Sequence, residues 1–464
     1  MIVARPAPLT ESNKDGEPCT SIPRPPNRRS NTPRPGPATP EVAPRMAGQH
    51  ASRRSFLRQV AGTSALLLGR RGLGLAEVTP AATPVGPPVT IGVIGLGAWG
   101  REILSTLARL SAARVVAVCD TYAPFHKKAL EIAPSAAALA DARALIDRPD
   151  LEAVVVATPS HLHRTIAVEA LAAGKHVYCE APLAATIDDA RAIAQAARGA
   201  RTVFQGGLQG RANSLYRHVG QFVKSGVLGT PVAASVHWAR KDSWRRVAPT
   251  PAREGEMNWR IAKGSSPGLM GEVALHQLDL VAEYLRALPV AVTGFGTTVL
   301  WKDGRDVPDT AQCVLEYPGG VRASVEVTLA SSVGGAHTLV RGSNSSLMLR
   351  EKRAWLLKEA DSPLLGWEVY AHKDNVLEES GIALVADSTK ILAAGEEPGQ
   401  SSREPSRDPL HLAFEGFLAA VRGGPPPACG AREAYQATAV ALQAEAAVRA
   451  GTRLPISPES LEPA

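Results

Sequence analysis

Three glycines carry the first chemical signal in the chain. Gly95, Gly97 and Gly100 form G-x-G-x-x-G, with Leu96, Ala98 and Trp99 between them. That spacing suits a dinucleotide: the first glycine permits a tight turn, the second lets a pyrophosphate approach the backbone, and the third allows close helix–strand packing. The N–H groups of a helix starting there face the phosphates. Asp120 lies 25 residues past Gly95, near the spacing of a carboxylate that accepts from ribose hydroxyls. An aspartate there repels a 2′-phosphate, and Thr121, Tyr122 and Ala123 offer no cation to accept one. NAD is therefore expected over NADP. A plain helix cap is the other reading of Asp120.

The motif does chemistry only if a strand delivers it and a helix leaves it. Residues 89–95 are an apolar run suited to a buried strand, and residues 101–110 read as the helix. A second strand over 114–119 ends at Asp120. Further strands are expected at 151–158, 175–180 and 202–205, with helices at 165–173 and 188–198. Such alternation implies a doubly wound parallel sheet that binds ligands at its C-terminal strand ends. Asp120, Thr158, Pro159, His163 and Glu180 fall at or just past such ends. Residues 89–207 are thus expected to be a Rossmann domain. Beyond them, residues 231–238, 290–300, 310–317 and 321–329 are β-rich, and Pro318-Gly319-Gly320 is a turn. Shorter strands fit 337–341, 347–350 and 354–357. Residues 394–409 read as an exposed loop, and 410–421 and 432–450 as terminal helices.

Composition narrows the class. A chain of 464 residues allows two or three domains. A hydrophobic content of 45% with 20% charged residues excludes wholesale disorder. Five cysteines without a C-x-x-C pair exclude a disulfide scaffold and a cysteine-based zinc module. No run approaches the ~20 apolar residues of a membrane span. Residues 1–76 hold 12 Lys and Arg against 4 Asp and Glu, whereas the remainder holds 39 against 40. The folded body therefore has no cationic excess with which to grip nucleic acid.

Residues 1–45 include 11 prolines and show no apolar periodicity. They read as a disordered extension or as the product of an upstream start, with Met46 the expected true beginning. Residues 46–76 resemble a twin-arginine signal: Arg53-Arg54, then Phe56-Leu57-Arg58, a short apolar run, and small residues before a cleavage point after Ala76. Residues 77–88 form a linker. The expectation is export to the periplasm, with the twin-arginine translocase as a transient partner.

Three segments in this order, Gly95 to Gly100, Ala157-Thr158-Pro159-Ser160-His161-Leu162-His163, and residues 173–183 ending Cys179-Glu180-Ala181-Pro182-Leu183, resemble the Gfo/Idh/MocA family of glucose–fructose oxidoreductase and inositol 2-dehydrogenase. The resemblance runs from about Val89 to about Pro455. It implies that residues 208–455 form an α+β domain with an open, mainly antiparallel sheet, which mediates a homodimer or homotetramer and carries substrate residues. It also implies hydride transfer at a carbinol carbon of a sugar, cyclitol or derivative, with a tightly held NAD. His163 would border the nicotinamide. His276 matches the family histidine that moves the hydroxyl proton, and Glu272, four residues earlier, replaces the family aspartate as its orienting partner.

One departure is chemical. The family lysine after the fourth strand is Ala181 here, which cannot ionise. Two other outcomes therefore stay open: an NAD-dependent glycoside hydrolase that oxidises its substrate transiently, and an inactive NAD-binding module. Trp259 and Arg260, with Trp238, Trp244, Arg245 and Asn258 nearby, are candidates for holding a sugar. Asp279, Gln205 and Arg211 are further pocket candidates. The set His163, His276, Glu272 and Asp279 fits a substrate pocket better than a metal site, and no metal is expected.

Overall fold

The computed structural model describes residues 86–350, 352–365, 368, 371, 373–376, 379–384 and 408–463. The expected N-terminal extension, the export signal, most of the linker and most of the loop 394–409 lie outside the described residues.

The first sheet begins with β1 (Val89–Ile94), whose six residues are all buried. A strand covered on both faces reads as a continuous apolar run, which is why V-T-I-G-V-I forms it. Helix α1 (Ala98–Ala108) follows and buries Ile103, Leu104 and Leu107. Next come β2 (Ala113–Cys119), α2 (Ala123–Ile132), β3 (Ala137–Leu139), α3 (Ala142–Ile146) and β4 (Ala153–Val156). Then follow α4 (His163–Ala172), β5 (His176–Cys179), α5 (Ile187–Gly199) and β6 (Phe204–Gly206). The strand order is β3-β2-β1-β4-β5-β6, and every pairing is parallel. The order reverses between β1 and β4, and a crevice opens outside the C-terminal ends of strands at such a switch point. Gly95 and Thr158 follow those two ends. Strand β3 and helices α2 and α3 are absent from the sequence reading, which runs from the second strand straight to 151–158. The three-residue Ala-Ala-Leu strand is too short to show a period.

After α6 (Ser214–Lys224), a ten-stranded sheet takes over. Its strands are β7 (Pro231–Ala239), β8 (Ala291–Thr297), β9 (Thr310–Glu316), β10 (Arg322–Thr328), β11 (Ala336–Gly342), β12 (Ser345–Arg350), β13 (Arg353–Lys358), β14 (Lys373–Val376), β15 (Glu379–Leu384) and β16 (Arg453–Pro455). The order is β14-β15-β13-β12-β11-β7-β10-β9-β8-β16. The β7–β10 pair is parallel and its neighbours β9–β10 and β7–β11 are antiparallel, so the sheet is mixed and mostly antiparallel. Strands β14 and β15 escape the sequence reading because Lys373, Asp374, Asn375 and Glu379 break any apolar alternation.

Between β7 and β8 lie a short helix α7 (Glu254–Met257), a π-helical turn (Met270–Ala274) and α8 (Leu275–Leu285). Leu275 and Leu278 of α8 share one buried cluster with Ala234, Val236 and Val325 of the sheet. The opposite sheet face leaves Phe295, Gln312, Val314 and Ser324 exposed. The last two helices are α9 (Pro409–Val421) and α10 (Ala431–Ala450). Helix α9 returns to the first sheet, where Phe414 stacks on Tyr178 with ring centres 4.4 Å apart and clusters with Val89, Ile91 and Val93.

Candidate active site

The glycine loop has the three properties that its sequence implies. Gly95 adopts φ +95°, and a Cβ there would lie 2.5 Å from the Ala157 carbonyl oxygen. A Cβ on Gly100 would lie 1.9 Å from the Gly95 carbonyl oxygen. A Cβ on Gly97 would meet no protein atom within 4 Å. Gly95 and Gly100 are thus required by the fold, whereas Gly97 leaves a space that the fold does not use. Gly97 caps α1 without a side-chain hydrogen bond, and no acidic residue occupies the first turn. The exposed N–H groups and the helix dipole make that end attractive to an anion.

Asp120 braces the loop. Its Oδ2 accepts from the Leu96 N–H at 2.8 Å and its Oδ1 from the Tyr122 N–H at 2.8 Å. Each carboxylate oxygen has a second lone pair, so ribose hydroxyls can still donate to it. Thr158, past β4, has a buried Oγ1 without a hydrogen-bond partner among the described residues. An orphaned hydroxyl, an open glycine cradle and a bracing carboxylate at one switch point fit a dinucleotide. Gly95 to Gly100, Asp120 and Thr158 would hold it. Pro159 closes β4 and starts the 3-10 turn Ser160–Leu162.

Glu180 ends β5 and is buried. Burial pushes its carboxyl up to about 7, opposed by hydrogen bonds from the Trp99 side chain, the Ala181 N–H and Gln209. Gln209 Nε2 donates to Oε1 at 3.1 Å. Gln209, on the turn after β6, is invisible as a partner from sequence.

The Nε2 of His163 lies 2.9 Å from the Thr158 carbonyl oxygen, and its Nδ1 lies 3.1 Å and 3.2 Å from the Pro182 and Leu183 carbonyl oxygens. Both nitrogens face backbone carbonyls, and a neutral ring donates to them through one nitrogen only, so the ring sits between the end of β4 and the loop after β5. Burial lowers its pKa, and the carbonyls and Glu272 oppose that.

The second cluster centres on the π-helical turn and α8. His276 exposes its ring to solvent, yet desolvation by surrounding protein dominates its pKa and holds it below the usual histidine value. The imidazole is thus reachable by solvent and partly desolvated by its surroundings. It is a neutral base at neutral pH.

Glu272 also departs from expectation. The π turn breaks the regular i, i+4 relation, and the carboxylate goes elsewhere. Its Oε1 accepts from Ser160 Oγ at 2.9 Å and its Oε2 from Arg260 Nε at 2.8 Å. It braces Arg260 and the strand-end turn, while its influence on His276 is the milder one of a nearby negative charge. The Arg260 guanidinium lies 4.7 Å from the centre of the Trp259 ring, and His161 faces that indole at 6.1 Å. Ser160, His161, Trp259, Arg260 and Glu272 are therefore linked in one polar and aromatic cluster, and the charge of Glu272 is felt at His276. Ser160 and His161 carry no assignment in the sequence reading, although they sit inside the 157–163 motif.

Other candidates are positioning groups. Arg211 forks onto Asp279, Nε to Oδ2 at 2.9 Å and Nη2 to Oδ1 at 2.7 Å, which ties α8 to the turn after β6. Gln277 Nε2 donates to the His337 carbonyl at 2.9 Å, tying α8 to β11. Glu445 of α10 fills the space beside Gly268, where a Cβ would lie 1.9 Å from its carboxyl carbon, and accepts from the Met270 N–H at 3.2 Å. Gln205 is buried and donates to the Ala413 carbonyl at 3.1 Å, while its Oε1 has no hydrogen-bond partner among the described residues. Arg245 is taken by Glu254 at 2.7 Å and Asp303 at 3.2 Å, so it holds no sugar. Trp244 packs against the core with φ +60°, and Trp238 is also half-buried core. No group of three or more His, Cys, Asp or Glu among the described residues is placed to hold a metal ion.

Residues 89–208 match the model of an oxidoreductase family with an NAD-binding Rossmann fold, and residues 216–348 match the GFO/IDH/MocA C-terminal domain. Inositol 2-dehydrogenase of Gluconacetobacter diazotrophicus is 33% identical over 248 residues, 53% of this chain and 68% of that protein. The 2,7-anhydro-N-acetylneuraminate hydratase of Escherichia coli is 23% identical over 264 residues, 56% of this chain and 67% of that protein. In structure, levoglucosan dehydrogenase in complex with NADH and levoglucosan superposes with a TM-score of 0.65 at 19% identity, covering 80% of this chain and 99% of that one. The chain belongs to the GFO/IDH/MocA family of NAD-binding oxidoreductases.

Proposed function

We propose that this protein is an NAD(H)-dependent oxidoreductase acting on a sugar, cyclitol or derivative at a carbinol carbon. The carrying observation is the Ser160–Glu272 hydrogen bond at 2.9 Å. Ser160 lies two residues past the orphaned Thr158 hydroxyl, and Glu272 lies four residues before His276. That bond seats the proton-handling turn against the strand end that would hold the dinucleotide.

A bound nicotinamide supplies the hydride acceptor or donor. The chain supplies the rest. Neutral His276 takes the substrate hydroxyl proton in the oxidising direction and returns it in the reverse direction. The Trp259 ring and the Arg260 guanidinium offer an apolar face and hydrogen-bond donors for a polyhydroxylated ring. Glu272 holds Arg260 in place and keeps a negative charge near His276. Asp120 accepts from the ribose hydroxyls and disfavours a 2′-phosphate, so NAD is the preferred cofactor. Relatives named for inositol and levoglucosan support the substrate class.

The absence of an ionisable group at Ala181 favours a second outcome of the same site. A substrate oxidised transiently, altered by elimination and addition of water, and reduced again would leave the cofactor unchanged overall. A hydratase among the relatives supports that route. Turnover without added cofactor separates the two: the hydrolytic cycle proceeds, and net oxidation stops after one equivalent. An inactive NAD-binding module would do neither.

We further propose export through the twin-arginine route, supported by Arg53-Arg54 and the concentration of positive charge in residues 1–76. Replacing both arginines by lysine tests this, since precursor should then remain in the cytoplasm. A homo-oligomer through the sheet face bearing Phe295 and Val314 is supported by their exposure, 63% and 38%. Adding NAD to the protein with a panel of polyols and sugars, read at the nicotinamide absorbance, tests the activity.

A further inference from the structure

The segment between β7 and α8 contains an arm whose tip, Arg253, has been given no cofactor or substrate role. Residues 240–258 hold little regular structure before the 3-10 turn Pro251–Arg253 and α7. The arm is braced by polar cross-links. Arg245 joins Glu254 to Asp303. The buried Asn258 both accepts from the Arg246 N–H at 2.7 Å and donates to the Arg246 carbonyl at 2.9 Å. Its tip crosses to the first sheet. Arg253 Nη2 donates to Thr121 Oγ1 at 3.1 Å, and its guanidinium lies 4.9 Å from the centre of the Tyr122 ring. Thr121 and Tyr122 directly follow Asp120, and the Tyr122 N–H donates to the Asp120 carboxylate. Glu256 pairs with the same guanidinium at 2.6 Å. Yet the Arg253 Nε–H is buried without a hydrogen-bond partner among the described residues. A buried, unpaired donor costs free energy that an arriving oxygen acceptor would recover.

We propose that Arg253 is a positioning residue that latches the adenosine end of the bound dinucleotide. The arm closes on the strand end that reads the ribose. The adenosine end leaves only when the Arg253 contacts with Thr121 and Tyr122 part. A lysine cannot replace this function fully, because it has neither the planar fork nor the stacking face. The inference rests on the NAD(H) reading above and adds a slow release step set from outside the first sheet.

The test is stopped-flow displacement of NADH from wild type, Arg253→Ala and Arg253→Lys, together with titration of ADP-ribose, which keeps the adenosine end and lacks the nicotinamide. Release of NADH should be roughly tenfold faster in Arg253→Ala and intermediate in Arg253→Lys. ADP-ribose affinity should fall by a similar factor, with each variant still folded by circular dichroism. Unchanged NADH release in Arg253→Ala overturns the latch alone. Faster NADH release with unchanged ADP-ribose affinity also overturns it, because the effect would then not lie at the adenosine end. A folded wild type that binds no NADH overturns the cofactor reading and the latch together.

Discussion

The loop after β1 and the turn before α8 solve different problems in different materials. The loop is backbone. Gly95 and Gly100 are fixed by carbonyl oxygens 2.5 Å and 1.9 Å from a hypothetical Cβ, and the side chains that brace Leu96 lie close by: Asp120 just past the neighbouring strand and Arg101 on the helix that follows. The turn is held by side chains from far away. Ser160 reaches Glu272 across 112 residues, Arg211 reaches Asp279 across 68, and Glu445 reaches Met270 across 175. A cofactor shared by many reactions needs a fixed backbone cradle, whereas a particular substrate needs a replaceable set of side chains.

That contrast can be broken at several points. The largest effect should come from His276→Ala, which removes the proton acceptor and should slow hydride transfer by ~10²–10⁴-fold. NADH titration should show cofactor binding unchanged, because His276 belongs to the turn-and-α8 cluster. A comparable loss of NADH affinity would show that the two regions are one. In wild type, kcat/KM for oxidation should fall as acid protonates His276. Desolvation lowers its pKa, so the falling limb should lie below the ordinary histidine value of about 6.5. A limb above that value would assign the proton to another group.

Next in size is Asp279→Asn, which leaves Arg211 without its carboxylate. The cost should be roughly 2–3 kcal/mol by denaturant unfolding, reduced from the fully buried case because the Arg211 side chain keeps 21% of its surface exposed. A loss below 0.5 kcal/mol, on the order of a surface pair, would show that α8 is positioned by its apolar packing alone.

Glu180→Gln probes the cofactor side. Burial raises the Glu180 carboxyl from 4.5 to about 7. Below pH 4.5 it is protonated in both folded and unfolded chains. Between 4.5 and 7 the unfolded chain loses its proton first, so stability falls as pH rises, and above 7 the full cost is present. The glutamine variant should therefore be more stable than wild type at pH 8, on the order of 1–3 kcal/mol, and equal to it near pH 4.5. Equal thermal stability at both pH values would contradict a desolvated carboxyl. The smallest effect should come from Ser160→Ala, which removes one hydrogen bond to Glu272. It should cost about 1 kcal/mol or less in transition-state stabilisation, read as a few-fold drop in kcat/KM.

The same contrast explains what the sequence disclosed. The glycine spacing, the apolar β1 run and the position of Asp120 are local, so they were readable directly. His276 is readable only through the family resemblance, because nothing near it in sequence sets this histidine apart from any other on a helix. Glu272 was assigned to the right segment and the wrong partner, since the π turn is a backbone irregularity without a sequence period. The surroundings of His163 are not legible in sequence, because the three carbonyls beside its nitrogens lie 5, 19 and 20 residues away. Arg253 was missed because its partner Thr121 lies 132 residues away, and arginines on irregular segments are usually solvated.

The central claim is that the glycine loop holds a dinucleotide, and Gly97→Ala tests it most directly. Gly97 has an ordinary φ of −57° and no protein atom within 4 Å of a modest Cβ, so the added methyl group leaves the fold undisturbed and enters only the space kept for pyrophosphate. NADH fluorescence titration of wild type and Gly97→Ala, beside thermal unfolding of both, should show equal Tm values and NADH affinity at least tenfold weaker in the variant, about 1.4 kcal/mol. Equal NADH affinities at equal Tm would contradict the account.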